Sequence, residues 1–428
     1  MKSSISVFSI FLVLFACFNI AIAVQVDNSL ELEKLIEEAV NNNPQLKSFE
    51  ESVNSLKENP SQASSLDNPR LKLAIMNLPT DTFEFDQEPM TQKQVATMQK
   101  LPFPGKLGLK KRIAEKTIDM ASEDYIEQKN MLIMQVKTAY AQILFLDSAI
   151  EITEENRQLL REFVKIVETK YEVGSGIQQD VIKAQVELSK MTDLLIPIKQ
   201  KRETMAAMLN NLLNRPLQTP FTPNNQIQMT TLNLSSQDLE KIAAENRPVL
   251  KKKNHLIERN ETAVKLSRKS YYPDFDIGVS YGQRDDAPNQ SRADFLSGFV
   301  TIKIPLWYKE KESRKVAENL SNVRKVQEEY RALKNNVNFQ INKLMSEIDS
   351  LAQRIELLSS GLIPQSRLSL DSALSAYRVN KVNFLTLINN QITLYNLELK
   401  YNKTITDHEI KLAELESVIG QRISGSWK

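Results

Sequence analysis

Two stretches of this chain repeat one another at a distance of 206 residues, and this repeat constrains the fold more than any other feature. The first runs from Tyr171 to Leu188 (YEVGSGIQQDVIKAQVEL) and the second from Tyr377 to Leu394 (YRVNKVNFLTLINNQITL). Each stretch is a short turn between two long helical patterns, so each predicts the tip of a helical hairpin. The chain therefore holds two hairpins.

The repeat extends through most of the chain. An offset of 204 residues links hydrophobic anchors and prolines of the two halves, as in Leu35/Leu239, Pro44/Pro248 and Pro69/Pro273. Units this long exceed those of solenoid proteins, so a whole fold is doubled within one chain. We divide the chain into a signal peptide (1–23), a first structural repeat (24–213), an equatorial linker (214–235), a second structural repeat (236–421) and a C-terminal tail (422–428).

The first residues have the pattern of an export signal. Lys2 precedes an apolar run that ends in Ala21-Ile22-Ala23, a small-x-small site that predicts cleavage after Ala23. Cys17, the only cysteine of the chain, keeps a lipoprotein signal open as an alternative, although the bulky Phe15 argues against it. Cleavage after Ala23 leaves no cysteine for disulfides or thiolate chemistry.

Alternating residues near the middle of each repeat predict two β-strands. The clearest is 274–282, DFDIGVSYG, in which apolar side chains alternate with acidic, hydroxyl or glycine residues, and 296–304 follows the same pattern. Such segments are typical of a transmembrane barrel strand, although a hairpin half-buried on a soluble core gives the same alternation. We expect these residues to face lipid: Phe275, Ile277, Val279, Tyr281, Val300 and Ile302.

Helices fill the rest of each repeat. First helices are predicted over about 29–58 and 236–270, the second with Ser236 as its N-cap. Long helices are predicted over about 106–170 and 309–376, and return helices over about 177–213 and 384–420. At 1.5 Å per residue the long helices reach roughly 100 Å. The fold class is thus mainly α, a rod of paired helices with four strands at one end and two turns at the other.

Four strands are too few to close a barrel, because the smallest closed barrels have about eight. An open sheet edge is not tolerated in lipid. If the strands are inserted in a membrane, several copies of the chain must therefore assemble. Closure alone requires only more than one copy.

The signal peptide, the duplicated unit of helix, β-hairpin and helical hairpin, and the two Tyr-x-Val-(Gly/Asn) turns resemble the TolC-type outer membrane factor (outer membrane efflux protein) family. The resemblance covers about residues 30–421. The stretch Leu101-Pro102-Phe103-Pro104-Gly105-Lys106 is similar to a signature of the heavy-metal-efflux branch, which weakly favours metal ions as cargo.

The resemblance implies a homotrimer in the bacterial outer membrane, with a 12-stranded barrel built from four strands per chain and an α-helical periplasmic tunnel. It implies a passive exit duct that works with a periplasmic adaptor (membrane fusion protein) and, indirectly, an inner-membrane pump. Carried onto this chain, the adaptor-contact tips are Tyr171, Val173, Gly174, Ser175, Tyr377, Val379, Asn380 and Lys381. Gly174 and Asn380 are the residues suited to a left-handed turn.

The family often closes the tip with acidic residues and an Arg–Asp bond. Asp180 matches an acidic position of the first repeat, whereas the second repeat has Thr386 and Asn389. Val382 stands where the arginine is expected. We therefore predict a less charged constriction formed by these four residues.

Neither composition nor motifs indicate catalysis. We expect no enzyme activity, no cofactor and no metal site, because His255 and His408 lack a suitably spaced second ligand. The formal net charge is +2, so no nucleic-acid partner is expected. Two alternatives stay open: a TolC-like duct for drug efflux or type I protein secretion, and, from another class, a periplasmic coiled-coil structural or adaptor protein.

Overall fold

The computed structural model describes residues 28–223 and 227–423. The predicted signal peptide, Cys17 and the last five residues of the tail lie outside the described residues. The two halves follow the same order of helices, a β-hairpin and a long helical hairpin. The helices are α1 (Asn28–Asn42), α2 (Pro44–Lys57), α3 (Asn59–Ser64), α4 (Lys106–Glu172), α5 (Gln178–Leu212), α6 (Ser236–Asn246), α7 (Pro248–Lys269), α8 (Glu312–Leu357), α9 (Ile363–Arg378) and α10 (Phe384–Ile419).

The first helix of each repeat is broken, so the prediction of continuous helices over 29–58 and 236–270 was wrong. Pro44 and Pro248 each begin a new helix, and the residues before them, Asn43 and Arg247, have extended backbone. A proline disfavours helical backbone in the residue that precedes it, which accounts for both breaks. The N-cap of α6 is Ser235 rather than Ser236, because the Ser235 side chain accepts the Asp238 N–H.

The second long helix is also interrupted, whereas the first runs unbroken for 67 residues. A π-helical turn, Leu358–Leu362, separates α8 from α9. Pro364, near the start of α9, has no N–H to donate and its ring crowds the preceding turn. The wider π turn accommodates that residue within one continuous rod.

Four strands form one antiparallel sheet in chain order, β1 (Arg70–Met76), β2 (Gln92–Leu101), β3 (Asp274–Gln283) and β4 (Phe295–Lys303). The middle pair joins the two repeats, because β2 belongs to the first and β3 to the second. Strands β3 and β4 lie where the sequence predicted them, within one residue at each end. No helix of the described chain has the length and apolar character that a membrane span requires.

Buried contacts between α4 and the second repeat hold the two halves together. Lys137 of α4 is fully buried and forms an ion pair with Glu416 of α10. Burial lowers the pKa of Lys137, and the Glu416 carboxylate opposes that shift. Nearby, Arg247 pairs with Glu127 at 2.8 Å. The described parts of the predicted linker, 214–223 and 227–235, contain neither helix nor strand.

Candidate functional site

One face of the sheet is apolar and exposed. Ile277 and Val279 of β3 are 44% and 48% exposed, and Val300 and Ile302 of β4 are 61% and 51% exposed. Tyr281 is also exposed, whereas Phe275 is half-buried. Strand β1 adds Leu71, Leu73 and Ile75 to this face, which sequence reasoning missed because its alternation was less clear. The helices of the chain leave this face open, and its contact with lipid stays a prediction.

The opposite face of the sheet is largely polar, with aromatic exceptions at Phe295 and Phe299 of β4. Lys100 of β2 lies opposite Asp276 of β3, and Ser280 lies opposite Ser297. Phe299, which sequence reasoning overlooked, lies across Gly278, where an added Cβ would come within 2.2 Å of the ring. A side chain at position 278 would therefore displace this ring, which glycine leaves in place.

The stretch Leu101–Lys106 forms a joint between strand and helix. The Lys106 ammonium is 2.7 Å from an Asp274 carboxylate oxygen and donates to the Tyr272 carbonyl at 3.1 Å. The same Asp274 oxygen accepts the Phe103 N–H at 2.8 Å. Gly105 has a φ of +87° and allows α4 to begin at Lys106.

Aromatic packing completes this joint. The Phe103 and Tyr272 rings stack at 4.5 Å with an interplanar angle of 15°. The Lys269 ammonium lies 5.3 Å from the Phe103 ring centre. Residues 101–106, which sequence analysis linked weakly to metal cargo, therefore have a structural role. Their contacts with Tyr272 and Asp274 fix the end of β2 and the start of α4 against the start of β3.

The two hairpin tips have the same backbone geometry. Gly174 and Asn380 have φ values of +72° and +60°, which confirms the predicted left-handed turns. The Ser175 N–H donates to the Lys170 carbonyl at 2.9 Å, and the Lys381 N–H donates to the Ala376 carbonyl at 2.8 Å. Both bonds span six residues, as in a Schellman motif at a helix end.

The surroundings of the tips differ. Lys170 reaches across from the first hairpin and donates to the Arg378 carbonyl at 3.2 Å and to the Asn380 side chain at 2.5 Å. Tyr377 is buried, whereas its counterpart Tyr171 is 49% exposed. Val173 and Val379 are exposed at the very ends, 70% and 63%, which leaves both tips open to a partner.

Asp180 connects the two hairpins through Tyr377. Burial, and then the charge and hydrogen bond of Asp180, raise the pKa of Tyr377 to about 12. Burial also raises the pKa of Asp180, against the opposing effect of the Tyr377 hydroxyl. The acidic residue of the predicted constriction is thus engaged within the chain.

The other three predicted constriction residues carry no charge. Val382 is half-buried against the apolar cluster of the tips. The Thr386 N–H and hydroxyl both donate to Asn383, which caps α10. Asn389 is exposed. Asn383 as a cap was missed, although Asn before an apolar helical pattern is a known signal.

His255 lies among three carboxylates, whereas His408 is buried with a ring nitrogen 2.9 Å from Glu409. The Nδ1 atom of His255 lies 3.7 Å from Asp119 and 3.9 Å from Glu258, and its Nε2 atom lies 4.0 Å from Glu123. These carboxylates were missed because two of them lie on α4, far away in sequence. Lys116 already pairs with Asp119 at 2.9 Å and Glu258 at 2.7 Å. Within residues 28–223 and 227–423, no group of His, Cys, Asp and Glu has the geometry of a metal site.

Comparison with known proteins places this architecture. Residues 35–215 match the family model "Outer membrane efflux protein". A curated relative, the cobalt-zinc-cadmium resistance protein CzcC of Cupriavidus metallidurans, is 20% identical over 380 residues, 87% of this chain and 85% of the relative. The toxin and drug export protein A of Aggregatibacter actinomycetemcomitans is 26% identical over 203 residues, 46% of this chain and 44% of that protein.

The solved structures agree on the fold. A crystal structure of CusC, described in terms of transmembrane channel formation, matches with a TM-score of 0.76 and 16% identity, over 92% of this chain and 93% of that chain. The fold of this chain is therefore that of outer-membrane channels of known structure. The match to the family model covers less than half of the chain.

Proposed function

We propose that three copies of this chain form the passive exit duct of a tripartite efflux system for heavy-metal cations. The sheet carries this proposal. One of its faces is apolar and exposed, and β1 and β4 each pair with a single strand of the described chain. Four strands with free edges require further copies to satisfy their backbone groups in lipid. Three copies supply twelve strands, as the family resemblance implies.

The helices extend the duct. Helix α4 has 67 residues, which corresponds to a length of about 100 Å. The sheet lies at one end of this rod and the two tips at the other. A rod of that length carries the tips far from the membrane in which the sheet is embedded. The tips would then meet a periplasmic adaptor, which in turn contacts an inner-membrane pump.

The tip residues support adaptor docking through their exposure. Val173 and Val379 present apolar side chains to solvent at the ends of rigid helical hairpins. Exposed valines at the end of a helical hairpin fit a partner that is itself a helical hairpin, because its apolar seam would cover them. The constriction residues Asp180, Val382, Thr386 and Asn389 lie just inside these ends.

Metal cations are the favoured cargo because CzcC, the relative that spans most of this chain, is a cobalt-zinc-cadmium resistance protein. Drug or toxin export is the second candidate. It is favoured by the relative named for that activity, which matches less than half of the chain.

Assembly and cargo need separate tests. Membranes from cells that express the tagged full-length chain are solubilised in detergent, and native mass spectrometry counts the chains. A trimer from the outer-membrane fraction is expected, and a monomer in the soluble periplasm would overturn the duct.

Cargo is tested by deleting the gene and measuring the growth-inhibiting concentrations of zinc, cobalt, cadmium and a panel of drugs. We expect hypersensitivity to metals, restored by the wild-type chain but not by Val173→Asp with Val379→Asp. Glu172→Gln with Arg378→Gln, beside the tips, is the matched control. Hypersensitivity to drugs alone would replace the first cargo with the second.

A further inference from the structure

The two outer edges of the sheet are complementary. Strand β1 presents Leu71, Leu73 and Ile75 on the exposed apolar face, and β4 presents Val300 and Ile302 on the same face. Each strand has one edge without a partner in the described chain. The occupant of these edges can be argued from the internal repeat, because the chain already contains a pairing of the same kind.

The repeat relates each strand of the first half to one of the second. Strand β3 begins at Asp274 just after Pro273, as β1 begins at Arg70 just after Pro69, so the offset of 204 residues carries β1 onto β3. Arg70 lies opposite Met98, and Asp274 lies opposite Lys303. Lys303 of β4 is therefore the structural counterpart of Met98 of β2.

The pairing between β2 and β3 joins a strand of the first repeat to a strand of the second. Met98 lies opposite Gly278, Thr97 opposite Val279, and Gln99 opposite Ile277. If each strand is replaced by its counterpart in the other repeat, the pairing of β2 with β3 corresponds to a pairing of β4 with β1. This second pairing cannot occur within one chain, because β1 and β4 are the outer strands of its sheet.

We propose that β4 pairs with β1 of a second copy in the register that the repeat dictates. Lys303 then lies opposite the partner subunit's Ala74. Ile302 lies opposite the partner subunit's Ile75, and Ile304 opposite the partner subunit's Leu73. This inference rests on the proposed function, since it specifies how the copies of the duct join.

Charge distinguishes this register from its neighbour. The offset of 203 residues between Leu101-Pro102 and Ile304-Pro305 would instead set Ile304 opposite the partner subunit's Leu71. Lys303 would then lie opposite the partner subunit's Lys72. Like charges directly opposite one another destabilise a sheet, whereas the proposed register sets Lys303 opposite an alanine. Both registers keep the apolar face outward, because they differ by two residues.

The seam between copies lacks one contact that the chain makes internally. Asp274, which holds Lys106 in the joint, has Arg70 as its counterpart in the first repeat. The Lys–Asp pair therefore cannot recur between copies at this position. The strand register must carry more of the specificity of the seam than it does inside the chain.

Cysteine cross-linking tests the register in the full-length chain. The double variant Ile302→Cys with Ile75→Cys places the two thiols directly opposite one another across the seam. The matched control, Ile302→Cys with Leu73→Cys, places them opposite one another only in the neighbouring register. Opposite positions have Cβ atoms about 4.5–5.5 Å apart and diagonal ones about 7–8 Å, so mild oxidation of intact membranes discriminates between them. Each single variant shows the background that includes Cys17.

We expect the first double variant to give a ladder on non-reducing gels that ends at three linked chains, and the control to stay mostly monomeric. Preferential linking of the control pair would overturn the register and leave the duct standing. A native trimer in which neither pair links would overturn the pairing of β4 with β1. A soluble monomer without links would instead overturn the proposed function itself.

Discussion

The two repeats follow the same path, but they have different neighbours. At the start of α4, Lys106 is almost wholly buried against Asp274 and the Phe103 ring stacks on Tyr272. At the matching place in the second repeat, before α8, Leu306 and Trp307 are 69% and 73% exposed. The chain fills the first joint with its own residues and leaves the second open.

The tips differ in the same sense. Tyr377 is buried beside Asp180, whereas Tyr171 is exposed. This pattern is expected if several copies of the duplicated fold form a ring. First and second repeats then alternate around the ring, so each repeat has one of the other kind on either side. One of those contacts is made within the chain, and in the proposed ring the next copy would supply the other. The differences between the repeats therefore mark the surfaces where copies are expected to meet.

The largest expected effect is at the joint. Lys106→Met removes the cation from a nearly buried pair and leaves Asp274 with only the Phe103 N–H as a partner. Loss of one member of such a pair costs about 3 kcal/mol at this partial exposure. We expect a lower midpoint of thermal unfolding in detergent. Lys309→Met, at the exposed counterpart in the second repeat, should change the midpoint little. Equal losses in both variants would contradict the division of contacts between the repeats.

The next effect is at the tips. Tyr377→Phe removes the hydroxyl that Asp180 binds, which should cost about 1 kcal/mol of local stability. Hydrogen exchange of the backbone amides of residues 170–180 and 376–386 should become faster. Tyr171→Phe is the matched control and should leave exchange unchanged in the isolated chain. If both variants behave alike, the buried tyrosine does not distinguish the tips.

A smaller effect is expected where the second long helix is interrupted. Pro364→Ala restores an N–H that can bond to the preceding turn and should stabilise this segment by about 0.5 kcal/mol. Hydrogen exchange of the backbone amides around Leu358–Leu362 should therefore become slower, and this exchange is the measurement. Gln158→Ala, on the unbroken helix at the matching position in the first repeat, is the control. Unchanged exchange after Pro364→Ala would mean that the proline does not cause the π turn.

The smallest expected effect is that of neutral-range pH on the link between Tyr377 and Asp180, because this link is lost only at high pH. The pKa of Tyr377 is raised from 10.0 to about 12, so its link to Asp180 contributes fully below pH 10 and is lost as the pH rises through about 12. Tyrosine absorbance of the wild type minus that of Tyr377→Phe should show one group titrating near the upper value. Titration of that group near pH 10 would place Tyr377 outside the buried link.

Much of the fold could be predicted from local patterns. The strand at 274–282 was clear because alternation of apolar and polar residues has a period of two, which only a strand presents on one face. Gly174 and Asn380 marked the tips because few other residues accept a left-handed turn. The breaks at Pro44 and Pro248 were also local and could have been predicted from the restriction that proline places on the residue before it.

The contacts between the repeats could not be read in this way. Lys106 and Asp274 are 168 residues apart, and Lys170 and Asn380 are 210 residues apart. Nothing in the residues around Lys106 distinguishes a buried lysine from the exposed lysines at 110 and 111. The partners of Asp180 and His255 were missed for the same reason.

The sequence by itself determined that the chain is a duplicated helical rod with four strands, because periodicity, prolines and turn residues act over a few neighbouring positions. Tertiary structure alone decided which copy of each repeated residue is buried and which is left for a neighbour. That choice depends on how α4 packs against the second repeat and on the register of β2 with β3. Both join segments that are distant in sequence, so no local pattern records them.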